Sequence, residues 1–241
     1  MDKPIPFSFN GVFLKPPNFK ALIFDMDGVL VDTEPLHIRS FQIYMDRLGL
    51  NYESEYIHSF IGYSIAHNIQ RINEDFLVGK EVPVLAGERE RDDIYISLLH
   101  ESRLDPLTGV VDLMNFCRQL NLPTALASSS SQEQVQIILN NLKQNGFNLK
   151  EQFISVVNGD QVLSRKPAPD IYQKTIENLE LDAADCWAIE DSEAGVSSAK
   201  SAGVNVIGLI SPYTTSTHLK DADFIVNSIN EAANHLKSLA S

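Results

Sequence analysis

The chain has 241 residues, of which 44% are hydrophobic and 21% charged, a composition typical of a globular protein. Its 32 acidic and 19 basic residues give a net charge of −13, which argues against nucleic acid and anionic membranes as partners. No stretch approaches the roughly 18 consecutive apolar residues of a membrane-spanning helix. The spacing of Cys117 and Cys186 indicates buried free thiols rather than a disulfide or zinc site. We therefore expect a cytoplasmic protein, whose oligomeric state stays open and is compatible with a monomer.

Residues 1–19 form a Pro-rich leader that lacks the continuous apolar run of a signal peptide. Its four prolines disfavour regular structure. We expect this leader to be a mobile or loosely packed tail.

Short, almost wholly apolar runs recur along the rest of the chain, and polar or glycine-containing residues follow each of them. This pattern is typical of parallel strands that are covered on both faces. The predicted strands are 21–24, 124–127, 153–157, 186–189, 204–210 and 224–226. Apolar residues at helical spacing predict helices between them, at 110–120, 131–142 and 169–179. The alternation predicts an α/β fold with a doubly wound, parallel, Rossmann-like sheet.

One long segment, 35–102, breaks this alternation because it contains no convincing strand. Apolar residues at helical spacing predict four helices there, near 38–48, 57–65, 69–76 and 94–99. Loops of more than about 15 residues are uncommon within a compact domain, so we expect an inserted small all-helical domain. The α/β core would then consist of residues 20–34 and 103–241.

Asp25 and Asp27 follow the first predicted strand directly, in the run DMDGVLVDTE. They are therefore expected at the carboxyl edge of the sheet, where folds of this class bind ligands. Two carboxylates so placed can hold a hard cation, or one can act as a nucleophile while the other transfers protons. Gly28 would let the chain turn sharply after the strand. A polar turn without catalytic function is the alternative interpretation.

Three further polar stretches are expected at the same edge of the sheet. Ser128 and Ser129 lie in LASSS, where a hydroxyl can bind phosphate beside helix amides or cap the following helix. Lys166 lies in RKPAPD, where the prolines would hold it in place, although a surface lysine is the alternative. Glu190 and Asp191 end another strand in IEDS, where Asp191 or Ser192 could instead be the N-cap of a helix.

In this order, the motifs DMDGVLVDTE, LASSS, RKPAPD and IEDS resemble those of the haloacid dehalogenase superfamily of phosphotransferases. The resemblance covers about residues 20–225, and the helical segment resembles the first class of cap domain in this superfamily. Within it, DGVLVDTE and KPAPD are most similar to the β-phosphoglucomutase-like branch of small-metabolite phosphatases and mutases.

The resemblance implies a role for each motif residue. Asp25 would be the nucleophile that takes up the phosphoryl group as an aspartyl phosphate. Asp27 would protonate the leaving oxygen and then activate water. Ser128 would hydrogen-bond the transferred group, and Lys166 would pair with Asp25 and the phosphoryl oxygens.

The resemblance also implies a Mg²⁺ ion. The Asp25 carboxylate, the Asp27 carbonyl oxygen and Asp191 would hold it, with Glu190 alongside. The physics agrees, because a carboxylate that attacks a phosphate dianion faces like-charge repulsion, which a cation and a lysine can offset.

Asp27 also distinguishes the reactions of the superfamily. Members that cleave carbon–halogen bonds lack an acid at that position and need no Mg²⁺, and phosphonate-cleaving members lack the acid as well. Asp27 therefore favours phosphate esters, because an alkoxide leaving group benefits from a positioned acid. We expect a Mg²⁺-dependent phosphatase of a small phosphorylated metabolite, a sugar or polyol phosphate.

Three alternatives compete with this function. A hexose-phosphate mutase of the β-phosphoglucomutase type uses the same nucleophile but discharges it through a bisphosphate intermediate. A phospho-acceptor regulatory module would be about half as long and would carry its acidic pair before the acceptor strand. A catalytically inactive interaction protein is disfavoured because all four motifs keep competent side chains.

Candidate substrate contacts are Ser129 in the core and three residues of the cap. His37 lies near the start of the first cap helix. Ser64 lies where the branch carries a Gly-x-Ser-Arg substrate loop, but Ile65 replaces the arginine, which disfavours the mutase. Arg91 could compensate, although its acidic neighbours favour a solvated charged face.

Overall fold

The computed structural model describes Phe7–Phe9, Val12–Leu14 and residues 19–239. Strands β1 (Phe7–Phe9) and β2 (Val12–Leu14) form an antiparallel pair. The prediction that the leader resists regular structure is therefore wrong over these two strands. Its other residues up to position 18, on which the predicted mobility also falls, lie outside the described residues.

A six-stranded parallel sheet forms the centre of the α/β unit, in the order β5-β4-β3-β6-β7-β8. Its strands are β3 (Ala21–Phe24), β4 (Thr124–Ala127), β5 (Phe153–Val157), β6 (Cys186–Glu190), β7 (Asn205–Leu209) and β8 (Phe224–Val226). Every residue of β3 and β4 is buried, and in β6 only Trp187 is partly exposed, as their apolar sequences predicted. The chain proceeds outward from β3 in one direction and from β6 in the other, which leaves a switch point between these two strands.

The helices of this unit follow the strands and cover the sheet. They are α5 (Val110–Gln119), α6 (Gln132–Gln144), α7 (Asp170–Leu179), α8 (Glu193–Ser201) and α9 (Ile229–Leu239). Their apolar faces pack against the buried strands, and Tyr172 and Val196 belong to the resulting core cluster. The predicted doubly wound Rossmann-like fold is confirmed.

The chain divides into two compact units, and the second comprises Thr33–Arg103. Its helices are α1 (Glu34–Arg47), α2 (Ser54–His58), α3 (Ile65–Phe76) and α4 (Val84–Glu101), and they have an apolar core of their own. The segment expected to be a cap, 35–102, lies within this unit, and its role as a cap stays a prediction.

The second helix of this unit differs from the one predicted near 57–65. Helix α2 already ends at His58, and Gly62 follows with a φ of +85°, which a right-handed helix cannot contain. Ser64 then caps α3 by accepting a hydrogen bond from the backbone N–H of His67 (3.2 Å). Apolar spacing alone extended the predicted second helix through this turn to Ile65, which is the first residue of α3.

The points at which the α/β unit is interrupted lie close together. Within that unit, the backbone N–H of Leu107 donates to the carbonyl oxygen of Leu30 at 2.8 Å. The helical unit is therefore an insertion between neighbouring positions of the α/β unit. Within the described residues, the structure contains no helix that is both long enough and apolar enough to span a membrane.

Candidate active site

Asp25 directly follows β3 and is nearly buried. Its backbone N–H donates to the carbonyl oxygen of Ile189 at 3.1 Å, which continues the pairing with β6 by one residue. The chain then turns at Gly28, whose φ of +77° favours glycine. A Cβ atom at this position would lie 2.0 Å from Asp191 Oδ2, so Gly28 is also required by the close approach of Asp191.

Lys166 reaches this strand edge from the segment before α7, and its side chain is only 5% exposed. Its Nζ atom donates to Asp25 Oδ1 (2.5 Å), to Glu190 Oε1 (2.6 Å) and to the carbonyl oxygen of Ala127 (2.9 Å). Burial alone would lower the pKa of Lys166, but the two carboxylates raise it well above its usual value of 10.5. The lysine is therefore a fixed positive charge beside Asp25.

Glu190 is the last residue of β6 and is completely buried. Tyr172 on α7 donates to its Oε1 atom at 2.6 Å, next to Lys166. Burial and the Glu190 carboxylate raise the pKa of the Tyr172 hydroxyl well above 10, so this group remains a donor. The Oε2 atom lies against the first turn of α8, where a Cβ at Gly195 would come within 1.8 Å.

Asp25, Glu190 and Asp191 each offer a carboxylate oxygen to one small cluster, in which these atoms lie within 4.8 Å of one another. Burial raises the pKa of Asp191 well above 3.8, and the negative charges of Asp25 and Glu190 raise it further. A hard divalent cation is bound by oxygen ligands and would relieve this repulsion. The donor set therefore fits such an ion.

The four consecutive serines after β4 differ in their hydrogen bonds. Ser128 is buried, and its Oγ atom accepts from the backbone N–H of Ser130 at 3.1 Å. The buried Oγ atom of Ser129 has no hydrogen-bond partner within the described residues. Ser130 Oγ donates to Asp27 Oδ2 at 2.8 Å. Ser131 forms a capping box with Gln134 at the start of α6, and this hydroxyl takes the predicted N-cap role.

The core residues predicted from the four motifs thus lie at one edge of the sheet. Sequence reasoning missed Tyr172 and Ser130, which hydrogen-bond Glu190 and Asp27. Tyr172 looked like an apolar residue of the helix face, and its hydroxyl gave no separate signal. Ser130 lies in the serine run of the second motif, where nothing in the sequence distinguishes it from its neighbours.

In the helical unit, the structure brings His37 and Arg91 together. Arg91 Nη2 contacts His37 Nδ1, and Arg91 Nη1 pairs with Asp92 at 3.1 Å. Arginine can only donate hydrogen bonds, so Nδ1 accepts and the hydrogen of a neutral His37 is on Nε2. Burial lowers the pKa of His37 well below 6.5, and the Arg91 charge lowers it further. Both residues line a pocket of about 180 Å³ within this unit.

The interpretation of Arg91 as part of a solvated charged face is wrong. Its side chain is 1% exposed, and its guanidinium lies 4.7 Å from the ring centroid of Phe41. The acidic neighbours indicated exposure, but the aromatic ring and His37 provide the partners that burial of an arginine needs. Ser64, by contrast, does not line this pocket, and its hydroxyl caps α3.

A buried lysine between carboxylates at the carboxyl edge of a Rossmann-like sheet lies where α/β enzymes bind their ligands. Residues 22–209 match the family described as haloacid dehalogenase-like hydrolase. The chain belongs to this family, in its β-phosphoglucomutase-like branch. It is a hydrolase of the phosphatase type.

Three similar proteins illustrate the branch. The chain is 30% identical over 190 residues to a phosphorylated carbohydrates phosphatase of Thermotoga maritima, covering 78% of this chain and 83% of the relative. It is 30% identical over 198 residues to the β-phosphoglucomutase of Bacillus subtilis, covering 79% and 83%. A crystal structure of CbbY from Rhodobacter sphaeroides with xylulose-(1,5)bisphosphate is 26% identical, with a TM-score of 0.73 over 88% of this chain and 96% of that one.

Proposed function

We propose that the protein is a Mg²⁺-dependent phosphatase that hydrolyses a sugar or polyol phosphate through an aspartyl-phosphate intermediate. The observation that carries this proposal is the Lys166 ammonium between Asp25 and Glu190, with Asp27 two residues beyond Asp25. The phosphatase of Thermotoga maritima, named for phosphorylated carbohydrates, supports the substrate class. The buried free thiols of Cys117 and Cys186 are compatible with the cytoplasm, which we propose as its compartment.

In the first step, a carboxylate oxygen of Asp25 attacks phosphorus and the bond from phosphorus to the ester oxygen breaks. Asp27 gives its proton to the departing alkoxide, which leaves as a neutral alcohol. In the second step, Asp27 takes a proton from water as the water oxygen attacks phosphorus. The bond to Asp25 then breaks, inorganic phosphate leaves, and both residues return to their starting states.

Lys166 and Ser128 stabilise the charge that moves during these steps. The Lys166 ammonium is held against Asp25, so its positive charge already lies beside the position that the phosphoryl group would take. Ser128 follows β4, the neighbour of β3, and would hydrogen-bond the transferred group. Ser129 is a second candidate, since its buried hydroxyl lacks a partner within the described residues.

Asp25, the Asp27 carbonyl oxygen and Asp191 would hold Mg²⁺, with Glu190 alongside. When bound, the ion would supply positive charge that offsets the repulsion between the attacking carboxylate and the phosphate. The raised pKa of Asp191 supports this assignment, because three carboxylates share one lysine as their close counter-ion.

His37 and Arg91 are proposed to recognise the organic part of the substrate. The support is the pocket that both line within the helical unit, where Arg91 Nε is buried without a partner in the described part of the chain. Ser64 stays a weaker candidate, since its hydroxyl already caps α3.

A panel of phosphorylated metabolites with Mg²⁺ tests the proposal, scored for released phosphate and, separately, for conversion of glucose 1-phosphate to glucose 6-phosphate. We expect phosphate release to dominate. If mutase turnover were well above phosphate release, the protein would be a mutase instead, like the relative from Bacillus subtilis that is named β-phosphoglucomutase.

Two variants and a chelator test the mechanism with the best substrate. Asp25→Asn should abolish turnover, and Asp27→Asn should slow it by about 10²-fold or more, as for a lost general acid. EDTA should stop turnover, and added Mg²⁺ should raise the thermal unfolding temperature of the wild type by binding the folded state. Near-normal turnover of Asp25→Asn, or a rate and a melting temperature indifferent to Mg²⁺, would refute the respective assignments.

A further inference from the structure

The position of the Lys166 ammonium depends on three acceptors: Asp25 Oδ1 at 2.5 Å, Glu190 Oε1 at 2.6 Å and the carbonyl oxygen of Ala127 at 2.9 Å. An ammonium group has three hydrogens, so these acceptors use all of them. A displacement of the Glu190 carboxylate would therefore also displace the ammonium relative to Asp25.

Glu190 Oε1 accepts a second short hydrogen bond, from the Tyr172 hydroxyl at 2.6 Å. Both residues are completely buried, so their hydrogen bond does not compete with bulk water. The other carboxylate oxygen, Oε2, has a longer contact of 3.4 Å with Ser192 Oγ. The Tyr172 hydroxyl thus holds Oε1 independently of Lys166.

The ring of Tyr172 contributes to the same arrangement. Lys166 Nζ lies 5.2 Å from its centroid, within the range of a cation–π interaction. The ring belongs to the apolar core cluster of the α/β unit, which fixes the hydroxyl relative to β6. One tyrosine therefore contacts both members of the Lys166–Glu190 pair.

We propose that Tyr172 is a positioning residue for phosphoryl transfer: its hydroxyl holds Glu190 so that Glu190 and Asp25 together fix the Lys166 ammonium. Tyr172 acts through Lys166 and does not touch the substrate. The inference rests on the proposed function, which assigns Lys166 to the phosphoryl group.

Tyr172→Phe removes this hydroxyl and keeps the ring. We expect kcat to fall about tenfold with KM within about twofold, because a displaced Lys166 ammonium stabilises the charge of the transition state less well, whereas substrate binding depends on it less. Tyr56→Phe is the matched control: it removes a tyrosine–carboxylate hydrogen bond of 2.7 Å, to Asp75 in the helical unit. Its kcat should stay within about twofold of the wild type. An unchanged kcat for Tyr172→Phe, or equal losses in both variants, would overturn the inference.

A double-mutant cycle separates positioning from a general effect on structure. If Tyr172 acts through Glu190, Tyr172→Phe should cost less than about twofold in a Glu190→Gln background. If the loss of kcat in the double variant equals the product of the losses in the two single variants, Tyr172 acts by another route. That result would count against the inference.

A crystal structure of Tyr172→Phe tests the positioning without any substrate. We expect the contact between Lys166 Nζ and Asp25 Oδ1 to open beyond hydrogen-bond distance, and an unchanged contact would contradict the inference. A wild type that hydrolyses no phosphomonoester would instead refute the proposed function, and the variant's structure would still decide the role of Tyr172.

Discussion

The hydrogen bond between Ser130 and Asp27 could not be predicted from the sequence. The Ser130 hydroxyl donates to Asp27 Oδ2 at 2.8 Å, and Asp27 is proposed to pass a proton to the leaving group. A hydrogen bond restricts the orientation of a carboxyl group, and general acid catalysis requires a defined orientation. Ser130 therefore helps to orient the proposed acid.

Ser130→Ala should lower kcat about tenfold, since it removes a hydrogen bond to a charged group that has to be oriented. The neighbouring Ser131→Ala is a matched control. It removes the N-cap of α6 and should cost about 1 kcal/mol of unfolding free energy with little change in kcat. Steady-state kinetics and urea unfolding of both variants check this. Equal losses of kcat would show that Ser130 has no specific role.

Single residues also mark the limit of what the sequence could predict about the site. The motif residues were predictable because strand ends of a parallel sheet meet at one edge. The burial of Arg91 was not, because its acidic neighbours in the chain suggest exposure while its ring partner Phe41 is distant in sequence. A contact between side chains of two different helices leaves no periodic pattern in the sequence from which it could be predicted.

Among the elements, the six strands of the parallel sheet were predicted to within about a residue, since each is a short apolar run with polar or glycine-containing residues after it. The helical unit was harder. Apolar spacing continues through the turn at Gly62, so α2 and α3 were not separated correctly. The pairing of β1 with β2 was missed because prolines on either side of them argued against strands.

Helices α1 and α4 meet at His37 and Arg91, and the burial of His37, together with the Arg91 charge, makes stability depend on pH. The pKa of His37 lies well below 6.5 in the folded protein, so below pH 6.5 the unfolded chain binds a proton that the folded chain does not. The contribution of His37 to the free energy of unfolding is therefore fully present above this pH. It is lost as the pH falls below it, by up to about 1.4 kcal/mol per pH unit. Unfolding in urea at pH 7.5 and at pH 5.5 measures the loss.

His37→Gln is the control for this prediction, because glutamine can still accept a hydrogen bond from Arg91 but does not titrate. The protonation of the carboxylates and of the other histidines changes equally in the variant and in the wild type between these pH values. We expect the variant to lose less stability than the wild type between the two pH values. Identical losses would show that His37 does not cause the effect.

At the scale of the whole molecule, the helical unit is an insertion in the α/β unit. Leu30 and Leu107 are hydrogen-bonded beside the points of interruption, so a short connection can replace the insertion. The α/β unit also has its own buried apolar cluster.

A chain in which a short Gly/Ser linker replaces residues 33–103 should therefore fold. We expect cooperative thermal unfolding and the circular dichroism of an α/β protein, because domains inserted at neighbouring positions are separable. The intact chain is the reference. A variant without a cooperative transition would show that the α/β unit needs the insertion for its stability.

The order of the central strands has a consequence for how the protein folds. Lys166 and Asp25 are 141 residues apart, and Ser130 and Asp27 are 103 apart. Such contacts form late, because the entropy of closing long loops must be overcome before any distant pair is stabilised. The helices can form from local contacts alone, whereas the site requires β3, β4 and β6 to be paired. The site can therefore assemble only after the residues up to Asp191 have been synthesised and these three strands have paired.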